Sequence, residues 1–251
     1  MARPKVHLLD YGAGNVASIR NAIRVVGFDI VDVESPADLA SARVLVFPGV
    51  GAFGSAMSYL STHGYVEPLR AYITSGRPFL GICIGMQTLF ETSDENPGVA
   101  GLGVIPGAVA RFASSPHYSV PHIGWNGVRV HVPSPALAHL SEASKLYFVH
   151  SYRAAVTPEN CDWVAATTDY GDGPFISAVQ RGAVFASQFH PEKSGALGLE
   201  VVRSFLSFAS ALEPGAPLPP APAMAQLCTP VGEAGAAAAR SPTRLAKRII
   251  A

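Results

Sequence analysis

Apolar and polar positions follow two different rhythms along this chain, and the rhythm changes near Gly103. "KVHLLDY" reads as a strand that enters a tight turn, "GAGN", and from Val16 to Val26 apolar residues return at helical spacing. "FDIVDVE" and "ARVLVFPG" read as further strands, the second running into the glycine-rich "PGVGAFGSAM" before another helical stretch. The apolar run from Pro78 to Ile82 stops at Cys83, where a helix-like pattern begins at once. Strands alternating with helices predict a largely parallel sheet. Beyond Gly103 the segments shorten, from "GVIPGAVARF" to "AVFASQFH", with turn residues between them, which predicts an antiparallel-rich extension on the same sheet. "ALGLEVVRSFLSFASAL" closes the pattern as a helix, its apolar residues three and four apart with Arg203 on the polar side. The expected fold class is α/β: an open, largely parallel central sheet with helices on both faces and an antiparallel-rich extension.

After Leu212 the chain turns rich in Pro and Ala and almost free of aromatics, a composition that cannot bury enough surface to order itself. The expected organisation is one domain over 1–212, a disordered linker over 213–243, and a separate short segment over 244–251 containing "LAKRII".

Composition narrows the function. The 251 residues are 49% hydrophobic and 14% charged, enough for a buried α/β core. The net charge is +0 and no basic stripe is interleaved with aromatics, so nucleic acid is not an expected partner and small-molecule chemistry is. No run approaches about 18 uninterrupted apolar residues, so no membrane span is expected, and the opening residues lack a leader pattern. Cys83, Cys161 and Cys228 lack the paired spacing of a metal site, and neither a metal nor another cofactor is expected. A cytoplasmic location follows, or a plastid one if the source is photosynthetic.

The candidate chemistry begins at Gly81-x-Cys83-x-Gly85, which has the form of a nucleophile elbow with cysteine in place of serine. A strand must turn sharply into a helix there, and the flanking residues must be small because backbone comes close. The helix N-terminus would favour the thiolate, and the Ile84 N–H would point where an oxyanion forms. "QFHPEKSG" supplies a base: Pro191 favours an extended His190, so that His190 and Glu192 face one site. The imidazole takes the proton and the carboxylate fixes its tautomer. "PGVG" lacks the Lys-Ser/Thr of a phosphate loop, and its better role is to lend an N–H from Val50 or Gly51 to the oxyanion hole.

"GICIGMQ" with "FHPE" resembles the class I, triad-type glutamine amidotransferases. With "DYGAGN", "PGVGAFGSAM", "PHIGWN", "YFVHSYRA" and "QFHPEKSG" the chain is similar, from about Val6 to Ala211, to the glutaminase part of the imidazole glycerol phosphate synthase family. The resemblance implies a triad of Cys83, His190 and Glu192, and an oxyanion loop of Gly49, Val50 and Gly51. It also implies glutamine contacts at Gln87, Glu95, Ser151 and Tyr152. Asn15, His122, Trp125 and Lys193 would face a synthase partner near an ammonia exit. "LAKRII" resembles the opening strand of the (β/α)₈ cyclase that such glutaminases serve, which implies a fused form of the enzyme. Three rivals stand beside this reading: a glutaminase serving another acceptor, a silent module that only binds a partner, and a cysteine hydrolase acting on peptides.

Overall fold

The computed structural model describes residues 3–12 and 16–213. Asn15, Cys228 and the expected linker and terminal segment beyond Glu213 lie outside the described residues.

The parallel core is built from β1 (Lys5–Leu8), β2 (Asp29–Asp32), β3 (Leu45–Gly49), β4 (Phe79–Cys83) and, from much later in the chain, β13 (Val184–Ser187). Their order is β2-β1-β3-β4-β13, every neighbouring pair parallel. Beyond β13 the sheet continues antiparallel through β12 (Gly173–Arg181), β11 (Val164–Tyr170) and β8 (Arg129–Val130).

β3, β4 and β13 are buried on both faces, and alternate residues feed two cores. Val46, Leu80, Ile82 and Phe185 point to one core, shared with α1 (Ala17–Val25) and α6 (Gly195–Ala211). Leu45, Phe47, Phe79 and Ala186 point to the other, shared with α3 (Phe53–Thr62) and α4 (Val66–Thr74). Each fully buried Phe or Leu contributes about 1.5–3 kcal/mol over its exposed state, so these central strands anchor the fold. In α1 the buried Ile19, Ala22 and Ile23 form one stripe. Gly27 stops it at φ +99°, where the Phe28 N–H turns back to Ile23 O at 3.1 Å. α2 (Asp38–Ser41) is a single turn between β2 and β3.

The expected class is the observed one, but the later segments depart from expectation in two ways. They do not all join one sheet. β5 (Phe90–Ser93), β6 (Ile105–Arg111) and β10 (Tyr152–Ala154) form a three-stranded sheet, and β7 (His122–Gly127) pairs with β9 (Lys145–His150) as a separate ribbon. The helix expected after Cys83 is only α5 (Ile84–Gln87), one turn, after which the chain becomes the strand β5. Gly101 lets the returning backbone pass so close that a Cβ there would meet Phe90 O at 2.0 Å, and its N–H pairs with Glu91 O. Phe90 and Ser93, at its two ends, are buried while Glu91 and Thr92 between them are exposed.

Candidate active site

Open α/β sheets place ligands at the carboxyl ends of their parallel strands. Here three such ends adjoin. β3 and β4 pair Gly49 with Cys83, and β4 and β13 pair Ile82 with Ser187, so the glycine loop, the cysteine and the Gln188–His190 segment emerge side by side.

Cys83 has φ 53° and ψ −102°, the single non-glycine residue at positive φ among the described residues. Such a conformation costs about 1–3 kcal/mol and persists only where its surroundings enforce it. The glycines on either side show the enforcement. A Cβ on Gly85 would lie 1.9 Å from Phe47 O, and one on Gly81 would lie 2.7 Å from Gly85 O. The elbow therefore exists because β3, β4 and the turn are packed backbone to backbone.

His190 is buried, with backbone φ −100° and ψ 96°, extended as expected. Its facing with Glu192 arises differently from expectation: Pro191–Lys193 is a 3₁₀ turn, and that turn folds the carboxylate back onto the ring. His190 Nδ1 donates to Glu192 Oε1 at 2.7 Å. Ser194 braces the segment, its Oγ donating to His190 O at 2.7 Å and accepting from Tyr147 N at 2.9 Å. Burial alone lowers the proton affinity of the ring, but the negative charges of Cys83 and Glu192 overcome it and raise the pKa to about 10. Nε2, the nitrogen on the Cys83 side, has no hydrogen bond of standard geometry, yet the sulfur is near enough to hold a proton on the ring. Because α5 is one turn long, it offers the sulfur little helix dipole.

A cavity of about 360 Å³ joins these groups. Cys83, Ile84, His190, Val50, Gly51, Gln87, Glu95, Ser151, Tyr152 and Lys193 line it, so ten of the residues singled out from the sequence meet in one place. Gly49 lies beneath, where an added Cβ would meet Ile84 Cβ at 2.8 Å and the Tyr11 hydroxyl at 2.9 Å. Gly51 has φ +113°, a left-handed conformation that glycine accepts at little cost. Glu95 Oε2 accepts from Phe53 N at 2.8 Å, and so also caps α3.

His122 departs from expectation. It is buried and stacks on Tyr170 at 3.8 Å between ring centroids, because β7 turns His122 inward and Ile123 and Trp125 outward. Ile123 and Trp125 are 60% and 54% exposed, the most exposed large apolar side chains of that ribbon.

A buried thiol beside an imidazole that a carboxylate orients is an activated nucleophile for acyl transfer. The glutamine amidotransferase class-I family model matches residues 7–207. The chain belongs to the class-I glutamine amidotransferase family. Among curated relatives, the imidazole glycerol phosphate synthase hisHF of Arabidopsis thaliana, a chloroplastic protein, is 56% identical over 201 residues, covering 80% of this chain and 34% of that protein. The imidazole glycerol phosphate synthase subunit HisH of a Synechococcus strain is 43% identical over 217 residues, covering 86% of this chain and 99% of that one. The chain thus spans about a third of the fused relative and nearly all of the subunit. A crystal structure described as a glutamine amidotransferase superposes with a TM-score of 0.63 at 22% identity, covering 82% of this chain and all of that one, which shows the fold.

Sequence reasoning missed three residues of this amidotransferase site. Tyr11 donates its hydroxyl to Val50 O at 3.0 Å, tying down the glycine loop, and burial with the nearby Cys83, Asp10 and Glu95 charges keeps that hydroxyl protonated. His150 lines the cavity, held neutral chiefly by burial with its pKa near 3. Gln188 touches the sulfur. Each is a polar side chain in or beside an apolar strand, which was the available signal.

Proposed function

We propose that the chain hydrolyses the side-chain amide of glutamine through a thioester on Cys83 and passes the ammonia to a cyclase in the manner of imidazole glycerol phosphate synthase, in histidine biosynthesis. The observation that carries the reading is the strained Cys83 elbow opening into a cavity that His190, held from behind by Glu192, also lines.

The Cys83 thiolate attacks the amide carbon. The Ile84 N–H, an orphan donor at the start of α5, and an N–H from Val50 or Gly51 hold the oxyanion. The His190 imidazolium gives its proton to the departing ammonia. Neutral His190 then takes a proton from water, whose oxygen attacks the thioester carbon, and glutamate leaves as the thiolate returns. Glutamine and water are consumed; glutamate and ammonia are released. Gln87, Glu95, Ser151 and Tyr152 are the proposed glutamine contacts, and their place on the cavity wall supports it. Gln87 Nε2 gives its hydrogens to Gln188 Oε1 and Tyr152 O, leaving Oε1 as the group it offers a ligand.

The cyclase would act as partner on the same chain or as a separate subunit. The names of the fused and separate relatives support both arrangements. Its docking face would lie on the ribbon that exposes Ile123 and Trp125 beside the cavity's Lys193. The test is glutamate release by the chain with and without the cyclase. Cys83→Ala should abolish it while an added cyclase still uses free ammonia. Glutamate release persisting in Cys83→Ala would overturn the reading.

A further inference from the structure

Gln188 is sealed from solvent in the turn between β13 and His190, its backbone N–H bonded to Ser177 O at 2.9 Å. Its amide has one sensible orientation. Oε1 accepts from Gln87 Nε2 at 2.9 Å, which leaves Nε2 facing Cys83 Sγ at 3.5 Å. Turned over, the amide would set two NH₂ groups against each other and an oxygen against the sulfur.

We propose that Gln188 is a further catalytic residue, a neutral N–H donor to the nucleophilic sulfur. The inference rests on Cys83 being the nucleophile. Both chemical steps involve a thiolate: it is the attacking group in the first and the leaving group in the second. A buried anion needs donors, and the one-turn α5 supplies little. His190 changes protonation between the steps, whereas the Gln188 amide does not titrate and keeps its N–H on the sulfur throughout. Gln87, already on the cavity wall, fixes that N–H by holding the other end of the amide.

The test uses the full chain and iodoacetamide, with alkylation at Cys83 followed by peptide mass mapping from pH 5 to pH 10. Gln188→Leu removes the donor at similar volume, and Gln188→Glu places an oxygen against the sulfur while still accepting from Gln87. The leucine variant should move the alkylation profile to higher pH and slow alkylation at pH 7 about tenfold, and the glutamate variant should slow it more. Glutamate release should fall with both. Profiles superimposed on the wild type while glutamate release falls would overturn the proposal, leaving Gln188 a brace for Gln87. If thermal melting shows that neither variant folds, Gln87→Met removes the residue that orients the amide and carries the same comparison, an unshifted profile again overturning it. A wild-type Cys83 inert to iodoacetamide would instead remove the nucleophile reading itself.

Discussion

His190 Nδ1 and Glu192 Oε1 lie 2.7 Å apart with both side chains almost closed to solvent. The contact fixes which ring nitrogen faces Cys83, and it is one of the forces that hold a proton on the ring. Glu192→Gln keeps the shape and loses both effects. Glutamate release should fall about 10²- to 10⁴-fold. Because the carboxylate raises the proton affinity of His190, the alkaline limb of the pH–rate profile should move to lower pH. A variant with nearly full activity and an unmoved limb would show that Glu192 does not orient the base.

The elbow stores strain that can be weighed. At φ 53° a glycine is at ease and an alanine is not. Cys83→Gly should therefore be more stable than Cys83→Ala by about 1–3 kcal/mol, the reverse of the usual order, with both inactive on glutamine. Gly85→Ala, forced against Phe47 O, should destabilise by about 3 kcal/mol or more. Denaturant unfolding measures all three, and an alanine variant at position 83 as stable as the glycine one would deny the strain.

The buried histidine pair predicts a pH dependence of stability. His122 Nδ1 and His150 Nε2 are 3.1 Å apart, and His150 Nδ1 donates to Tyr152 O at 2.8 Å. Burial lowers their pKa values to about 4 and about 3. In the unfolded chain both protonate near pH 6.5, so the unfolded state binds more protons as pH falls below that value. The contribution of this pair to stability should be flat above about pH 7 and decline by roughly 1–2 kcal/mol per histidine by pH 5, whereas the raised proton affinity of His190 acts on the alkaline side of pH 6.5. His122→Phe, which keeps the stacking on Tyr170, should flatten part of that decline in melts at pH 7 and pH 5. An unchanged slope would mean that His122 carries none of it.

Much of this was legible in the sequence because the central parallel strands β3, β4 and β13 are largely apolar runs and α1 carries a clean stripe of Ile19, Ala22 and Ile23. The elbow was legible because glycine is the one residue tolerated where Phe47 O and Gly85 O come so close. The partition of the later strands into three sheets was not, since local alternation in "KLYFVH" or "GVIPGAVARF" carries no record of which edge each strand meets. Helical spacing after Cys83 misled because Gly85 to Phe90 suits a helix until Gly101 brings another segment alongside. Tyr11 and Gln188 were missed because their partners, Val50 and Gln87, are 39 and 101 residues away, and only the fold brings them together. The resemblance has His122 facing a partner, while the alternation of β7 with Ile123 and Trp125 outward places it inside.

The central claim is that Cys83 forms the covalent bond to glutamine. The most direct measurement exposes the full chain to a glutamine analogue whose amide is replaced by an electrophilic carbon, with and without excess glutamine, and locates the adduct by mass spectrometry of the digest. The account predicts stoichiometric modification of Cys83, suppressed by glutamine and abolished in His190→Ala or slowed at least about tenfold. Modification at another residue with Cys83 untouched, in a preparation that releases glutamate, would contradict it.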